Sequence, residues 1–211
     1  MDKLVILGAG GHARVVLEAA LAMQRFGEIV FLDDRFPLAA EPAPGYPVAG
    51  RLAALPLLLE RGFRLFVAAI GDNRARAARF TEAGATGAEP TVIVHPWALV
   101  SRSARIGLGT VVLPRAVVQA GTEIGVNCIV NTGAIVEHDC RVGDHAHLAP
   151  ASVLGGGVSI GSRVLVGLGA VILPSAEVGE RAIVGAGAVV RRSVPSDVTA
   201  AGVPARVIVR V

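Results

Sequence analysis

Residues 133–150 read GAIVEHDCRVGDHAHLAP, which is three consecutive copies of a six-residue pattern. An aliphatic residue recurs in it every six positions, at Val136, Val142 and Leu148. The same spacing continues in both directions without an insertion. The aliphatic series occupies positions 94, 100, 106, 112, 118, 124, 130, 136, 142, 148, 154, 160, 166, 172, 178, 184 and 190.

A small residue commonly stands four positions after each aliphatic one, as Cys140 follows Val136. A hexapeptide period of this kind is typical of a parallel β-helix. Three hexapeptides then close one triangular coil of 18 residues, coils stack about 4.8 Å apart, and Gly or Asn permits the corner turns. We predict slightly under six coils over residues 91–195, with residues 196–211 folding back as a C-terminal cap.

The first 90 residues follow another pattern, in which strand and helix signals alternate. Alternation of this kind predicts a small α/β, Rossmann-like domain with a parallel sheet of about three strands. The predicted strands are Lys3–Leu7, Ile29–Leu32 and Leu65–Ile70, and the predicted helices are Ala13–Met23, Arg51–Glu60 and Arg74–Ala83.

Composition narrows the class of protein. Hydrophobic residues make up 53% of the chain and charged residues 18%, which excludes a disordered chain. No apolar run reaches the ~18 residues of a membrane helix, and the net charge of +3 comes without a basic run or an aromatic platform for nucleic acid. Two cysteines, Cys128 and Cys140, make no disulfide framework and stand at inward positions. We expect a soluble cytoplasmic protein that binds neither membrane nor nucleic acid, and a closed oligomer, most simply a trimer.

Three histidines lie close together in the repeat, at His138, His145 and His147. His138 precedes Asp139, whose carboxylate can orient the imidazole so that it acts as a general base near neutral pH. Nine residues are half a coil, so His138 and His147 should meet only across a subunit interface. A solvated corner histidine and a metal site are the alternatives.

The N-terminal domain opens with Gly8-Ala9-Gly10-Gly11-His12-Ala13 between a strand and a helix. Amides at a helix start favour a diphosphate, and Asp33-Asp34 at the end of the second strand suits sugar or base hydroxyls and amides. A sheet of about three strands lacks the second mononucleotide half, so a nucleotide other than NAD is favoured. The alternative is that the glycines serve tight packing.

The chain resembles the bacterial nucleotide-sugar acetyltransferases of the left-handed β-helix superfamily. The resemblance rests on the hexapeptides with Glu137-His138-Asp139, the opening Gly-Ala-Gly-Gly-His and the closing Gly202-Val203-Pro204-Ala205, and it covers essentially the whole chain. The most similar group acetylates the 4-amino group of UDP- or GDP-linked amino-sugars, and sialic acid O-acetyltransferases are close relatives.

The resemblance implies a homotrimer that uses acetyl-CoA, needs no metal and holds its sites between adjacent β-helices. It assigns catalysis to His138 and Asp139, although the family often has Glu where Asp139 stands. It assigns acetyl-CoA binding to His147, Leu168 and Ala186. The residues that it assigns to the nucleotide-linked sugar are Gly10, Gly11, His12, Asp33, Asp34, Gly71, Asn73 and Asn131.

Three other functions stay open on the sequence. O-acetylation of a sialic acid or another sugar would use the same fold and histidine. A γ-type carbonic anhydrase would need zinc-binding histidines spread across coils, whereas here they crowd into one. A non-catalytic scaffold or sugar-nucleotide sensor would bind the nucleotide-sugar without CoA.

Overall fold

Two units follow one another along the chain in the computed structural model, which describes residues 1–210. The units are Met1–His95 and Pro96–Val211, so the boundary lies five residues after the one expected at residue 90. Within the described residues, no helix has the length and apolar character needed to cross a membrane.

The first unit alternates strands and helices, as predicted from its sequence. Its elements are β1 (Asp2–Leu7), α1 (Gly11–Ala22), β2 (Phe26–Leu32), β3 (Val48–Gly50), a 3-10 turn (Leu52–Ala54), α2 (Leu55–Glu60), β4 (Leu65–Ala68), α3 (Asn73–Ala85), β5 (Glu89–Pro90) and β6 (Ile93–Val94). Pro56 stands in the first turn of α2, where the missing N–H leaves no helical hydrogen bond unmade.

The sheet of this unit has five strands in the order β3-β2-β1-β4-β5, all parallel. The prediction of about three strands was wrong because β3 and β5 span only three and two residues, too few for a periodic signal. β1 pairs with β2 on one side and with β4 on the other. The strand order therefore reverses beside β1, and parallel α/β sheets bind ligands at the carboxyl ends of strands at such a point.

Parallel strands of two residues make up most of the second unit, and they stack into three sheets. The aliphatic sheet contains β7 (Leu99–Val100), β10 (Val117–Val118), β13 (Ile135–Val136), β16 (Val153–Leu154), β19 (Val171–Ile172) and β22 (Val189–Val190). The charged sheet contains β8 (Arg105–Ile106), β11 (Glu123–Ile124), β14 (Arg141–Val142), β17 (Ser159–Ile160) and β20 (Glu177–Val178). The third sheet contains β9 (Val111–Val112), β12 (Ile129–Val130), β15 (His147–Leu148), β18 (Leu165–Val166), β21 (Ile183–Val184), β23 (Val198–Ala201) and β24 (Arg206–Arg210).

Strand pairing confirms the coil of 18 residues. Ile135 pairs with Val117 on one side and with Val153 on the other, and the other two sheets repeat this offset. The recurring aliphatic residues, such as Val136 and Val142, point inward and are buried. The parallel β-helix predicted from the hexapeptide period is confirmed, and the repeats are consistent with the left-handed form that the resemblance implies.

We number the positions of each hexapeptide from its aliphatic residue, which is position one. His138 is thus in the third position of the hexapeptide that begins at Val136. The fourth position adopts left-handed backbone angles in every hexapeptide from Gly109 to Gly187. The sequence predicted Gly and Asn at these corners, but Arg, Asp, His, Ser and Ala also occupy them. Hydrogen bonds between coils offset the conformational cost, as where the Asp139 amide donates to the Ala120 carbonyl over 3.0 Å.

Residues after the last hexapeptide extend the third sheet. β23 pairs in parallel with β21, and β24 then pairs with β23 in the antiparallel direction. Together they supply hydrogen-bond partners to the last coil's strand, which would otherwise present an open edge.

Candidate active site

His138 and Asp139 lie at the corner between the aliphatic sheet and the charged sheet. The His138 Nδ1 atom is 2.9 Å from the Asp139 Oδ2 atom, and both side chains are exposed, by 64% and 73%. The carboxylate accepts the hydrogen bond, so Nδ1 carries the proton, and in the neutral imidazole the lone pair is on Nε2. An imidazole held in this tautomer can take a proton at Nε2.

The backbone on both sides of this pair is tied to the neighbouring coils. The His138 carbonyl accepts a hydrogen bond of 2.9 Å from the Gly157 amide. Asp139 donates its amide to Ala120 in the coil before. Because the coils hold the main chain, only side-chain rotation is left to move the imidazole.

His147 lies on the third sheet, away from His138, as the half-coil spacing predicted. Its Nε2 atom is 3.1 Å from the Asn131 Nδ2 atom. Asn131 accepts a hydrogen bond of 2.8 Å at Oδ1 from the Thr132 amide, which orients its NH₂ group towards His147. The structure thus joins two residues that the resemblance assigned to different ligands.

Leu168 and Ala186 stand one coil apart at the corner between the third sheet and the aliphatic sheet. The Leu168 side chain is exposed, and its carbonyl accepts a hydrogen bond of 2.8 Å from the Gly187 amide. The two residues therefore line one edge along the stack, as a ligand extended across coils would require. Their contact with acetyl-CoA stays a prediction.

A cavity of about 310 Å³ opens in the first unit at the carboxyl ends of β1, β2 and β4. Asp33 and Asp34 line it, together with nine residues that the sequence did not assign to a ligand. The lining is completed by Leu7, Gly8, Arg35, Leu32, Leu52, Ile70, Asp72, Ala75 and Arg79. Its place at the strand reversal could have been inferred only from the strand order.

The two aspartates at this cavity are already engaged by the protein. Asp33 is buried, and its carboxylate accepts hydrogen bonds from the amides of Ala9 at 2.8 Å and Arg35 at 2.9 Å. Asp34 accepts from the Leu52 amide and pairs with Arg79 at 2.7 Å. Both carboxylates hold the loops around the cavity, and a direct contact with ligand is a further role that stays a prediction.

The glycine loop after β1 leaves room beside the start of α1. Gly8 has a φ of +103°, and a Cβ there would lie 3.0 Å from the Ala69 carbonyl oxygen, so close packing requires this glycine. Gly10 precedes α1, which begins at Gly11 without a side-chain cap, and a Cβ at Gly10 would meet open space. Packing explains Gly8, while Gly10 and Gly11 leave the helix amides accessible to an anion.

Gly71 and Asn73 are joined by Arg76, a fully buried residue of α3 that the sequence did not single out, and its charge also acts on His12. The Arg76 guanidinium donates to the Ile70 and Gly71 carbonyls and, over 2.7 Å, to the Asn73 Oδ1 atom. Burial, and next the charge of Arg76, lower the pKa of His12 from 6.5 to about 4. His12 is therefore neutral at neutral pH.

The lowered pKa of His12 makes the stability of the chain depend on pH. As the pH falls below 6.5, the unfolded chain takes up a proton at His12, but the folded chain does not until about pH 4. The contribution of His12 to the free energy of unfolding is therefore fully present above pH 6.5. It is lost as the pH falls from 6.5 to 4, by about 3 kcal/mol in total. Urea unfolding measures the free energy of unfolding at pH 7.5 and at pH 4.5. The decrease between these two pH values should be smaller for His12→Gln than for the wild type. An equal difference in the two proteins would contradict this assignment.

Cys128 and Cys140 are buried thiols at the fifth position of their hexapeptides. Each donates a hydrogen bond of 3.2 Å to a backbone carbonyl, of Gly143 and Gly155 respectively. Burial raises the pKa of the Cys140 thiol, which keeps it protonated and weakens it as a nucleophile. Among residues 1–210, no group of three or more His, Cys, Asp or Glu side chains is arranged to hold a metal ion.

Two family models match separate parts of the chain. The PglD N-terminal domain matches residues 3–83, and the bacterial transferase hexapeptide (six repeats) matches residues 157–192. UDP-N-acetylbacillosamine N-acetyltransferase of Bacillus subtilis (strain 168) is 40% identical over 116 residues. That match covers 54% of this chain and 52% of the length of the relative, so the chain spans about half of it.

Two solved structures are similar over nearly the whole chain. PerB from Caulobacter crescentus, in complex with CoA and GDP-perosamine, has a TM-score of 0.93 and 42% identity over 99% of this chain and 98% of its own. A variant of that enzyme with one histidine replaced by alanine also holds CoA and GDP-perosamine. The acetyltransferase domain of PglB from Neisseria gonorrhoeae FA1090, in complex with acetyl coenzyme A, has a TM-score of 0.93 and 42% identity over 98% of this chain and 99% of its own.

The agreement extends from the N-terminal α/β unit through the last coil of the β-helix. This chain belongs to the family of left-handed β-helix, hexapeptide-repeat nucleotide-sugar acetyltransferases.

Proposed function

We propose that this protein is an acetyl-CoA-dependent N-acetyltransferase that acts on the 4-amino group of a UDP- or GDP-linked amino-sugar. The observation that carries the proposal is the His138–Asp139 pair, 2.9 Å apart on an exposed corner, with the carboxylate on the Nδ1 side of the ring. The similar enzymes from Caulobacter and Bacillus, named for GDP-perosamine and a UDP-linked sugar, support the substrate class.

Acetyl transfer needs one proton removed and one delivered. The 4-amino nitrogen attacks the thioester carbonyl carbon, the C–N bond forms and the C–S bond breaks. His138 Nε2 takes the proton from the nitrogen and passes it to the departing CoA sulfur. Asp139 stabilises the imidazolium in between, and no covalent acyl-enzyme is needed.

The proposal assigns the nucleotide to the first unit. The uncapped start of α1 at Gly10 and Gly11 favours the diphosphate. Asp33 and Asp34 line the cavity at the strand reversal, which suits the sugar or base. His12, Gly71 and Asn73 complete the set proposed for the first unit. Asn131 keeps the nucleotide-sugar role that the resemblance implies.

Support for a homotrimer comes from the outward face of the aliphatic sheet. Its outward residues are Leu99, Val117, Ile135, Val153, Val171 and Val189, all apolar and none fully buried. The charged sheet presents Arg105, Glu123, Arg141, Ser159 and Glu177 instead. A continuous apolar face on one side of the prism is a surface that association would bury.

The positions of the proposed active-site residues also favour association. His138 lies at one edge of the aliphatic sheet, whereas Leu168 and Ala186 lie at the opposite edge, with His147 on the sheet beyond. One chain cannot bring these edges together, but a neighbouring chain packed on the aliphatic sheet can. We therefore assign His147, Leu168 and Ala186 of one subunit to the acetyl-CoA that reacts beside His138 of another.

The proposal places the enzyme in the cytoplasm. Cys128 and Cys140 are thiols rather than a disulfide, which suits a reducing compartment.

Release of the CoA thiol tests the function directly. The protein would be incubated with acetyl-CoA and with UDP-, GDP- or dTDP-linked 4-amino-sugars, and with free sialic acid in parallel. We expect thiol release with a UDP- or GDP-linked amino-sugar and a product acetylated at nitrogen. Release with sialic acid alone would instead establish O-acetylation, and no release combined with no CoA binding would favour a scaffold.

A further inference from the structure

Gly156 lies one coil after His138, in the same third position of its hexapeptide. Every other third position between 108 and 186 carries a side chain. These positions hold Leu108, Pro114, Ala120, Val126, Thr132, His138, Asp144, Pro150, Ser162, Leu168, Pro174, Glu180 and Ala186. The one residue in this series without a side chain therefore stacks directly on His138.

Backbone conformation does not explain this glycine. Gly156 is not among the residues with positive φ, whereas its neighbour Gly157 is, at +69°. The φ of position 156 therefore does not call for glycine. The absence of a side chain at position 156 must therefore be explained by what a Cβ atom there would contact.

The His138 imidazole occupies that space. A Cβ at position 156 would lie 2.6 Å from Nε2 and 2.7 Å from Cε1 of His138, well inside van der Waals contact. The ring thus lies across the main chain of the next coil, with the reactive nitrogen nearest to it. A single methyl group would force the ring to move.

Gly121 provides the same clearance one coil before Asp139. A Cβ there would lie 2.5 Å from the Asp139 Oδ1 atom. Its φ of +70° does not by itself demand glycine, because Arg115 and Ala151 adopt similar angles. Side chains are therefore absent on both sides of the His138–Asp139 pair, above the ring and below the carboxylate.

We propose that Gly156 is a positioning residue of the acetyl transfer reaction, and that it acts by leaving room for the His138 imidazole to lie against Asp139. The inference rests on the proposed function for its kinetic consequence, but its structural consequence is independent of that function. A side chain at 156 displaces Nε2, and a misplacement of about 1 Å can lower a catalytic rate about 10²-fold.

Gly156→Ala tests the proposal. We expect kcat to fall about 100-fold, while the KM for acetyl-CoA and the melting temperature stay near the wild-type values. The exposed imidazole can rotate into solvent, so the coil does not have to open. Gly84→Ala is the control, because this exposed glycine of α3 has no left-handed φ and a Cβ there meets nothing within 4 Å; its kcat should stay within about twofold.

A double-mutant cycle separates positioning from a general effect on the coil. In a His138→Ala background, Gly156→Ala should cause no further loss, because the displaced group is gone. An undiminished 100-fold effect in that background, or a single variant with unchanged kcat, would overturn the proposal.

A crystal structure of Gly156→Ala provides the readout that does not depend on activity. We expect the imidazole to have left Asp139, with the main chain of the coil unmoved. If the ring moves but wild-type protein acetylates no acceptor, the proposed function fails and the positioning inference stands. If the ring stays within hydrogen-bond distance of Asp139, the positioning inference fails whatever the activity.

Discussion

Replacing His138 by alanine is expected to lower kcat for acetyl transfer by about 10²–10⁴-fold, the usual contribution of a general base. Asp139 cannot accept the proton in the same place, because its carboxylate approaches Nδ1 rather than the reactive Nε2 side. Acetyl-CoA affinity should change less than about twofold, since the proposed CoA residues lie on other edges of the prism. Steady-state kinetics and calorimetric titration measure the two quantities.

His145→Ala is the matched control for this substitution. His145 stands in the same coil and contacts Asn127 over 2.8 Å, away from Asp139. Its removal should leave kcat within a few-fold of wild type. A His138→Ala protein that retains turnover at that level would remove His138 from the mechanism.

Replacing Val153 by glutamate is expected to dissociate the proposed trimer and to abolish most activity with it. Val153 lies in the middle of the aliphatic sheet, between Ile135 and Val171. An unpaired carboxylate buried in an interface costs about 3 kcal/mol or more, which weakens association at least about 100-fold for each subunit. Sedimentation at micromolar protein measures the assembly, and the thiol assay on the same samples measures the activity.

Ser159→Glu introduces the same side chain on the charged sheet, between Arg141 and Glu177. It should leave both the assembly and the activity unchanged. Dissociation of this variant together with an intact trimer in Val153→Glu would place the interface on the charged sheet instead. A fully active monomer of Val153→Glu would contradict the assignment of the site to two subunits.

Prediction from sequence succeeded in the second unit, where the hexapeptide pattern repeats. The aliphatic residue of each hexapeptide, such as Val136, must point into a narrow interior, so the pattern alone defined the coil and placed Cys140 inward. The same periodicity placed His138 and Asp139 side by side at a corner. It also separated His138 from His147, because half a coil in sequence is another side of the prism.

Prediction failed where the signal was short or came from distant residues. β3 and β5 are too short to give a periodic sequence pattern, so two strands of the N-terminal sheet were missed. Arg76 resembles the neighbouring arginines of α3 in sequence, yet it is buried and holds the loop of Gly71 and Asn73. Its partners are carbonyls and an amide, which leave no distinctive residue pattern.

The hexapeptide period is enough to predict the β-helix, its register and the candidate base, because a fixed period translates directly into inward, outward and corner positions. The contacts between coils are visible only in the folded chain. They join Asn131 with His147, and the imidazole of His138 with the bare main chain of Gly156. Those contacts join residues about one coil apart. They depend on the direction of each side chain and on the room that neighbouring coils leave for it, and a six-residue period specifies neither.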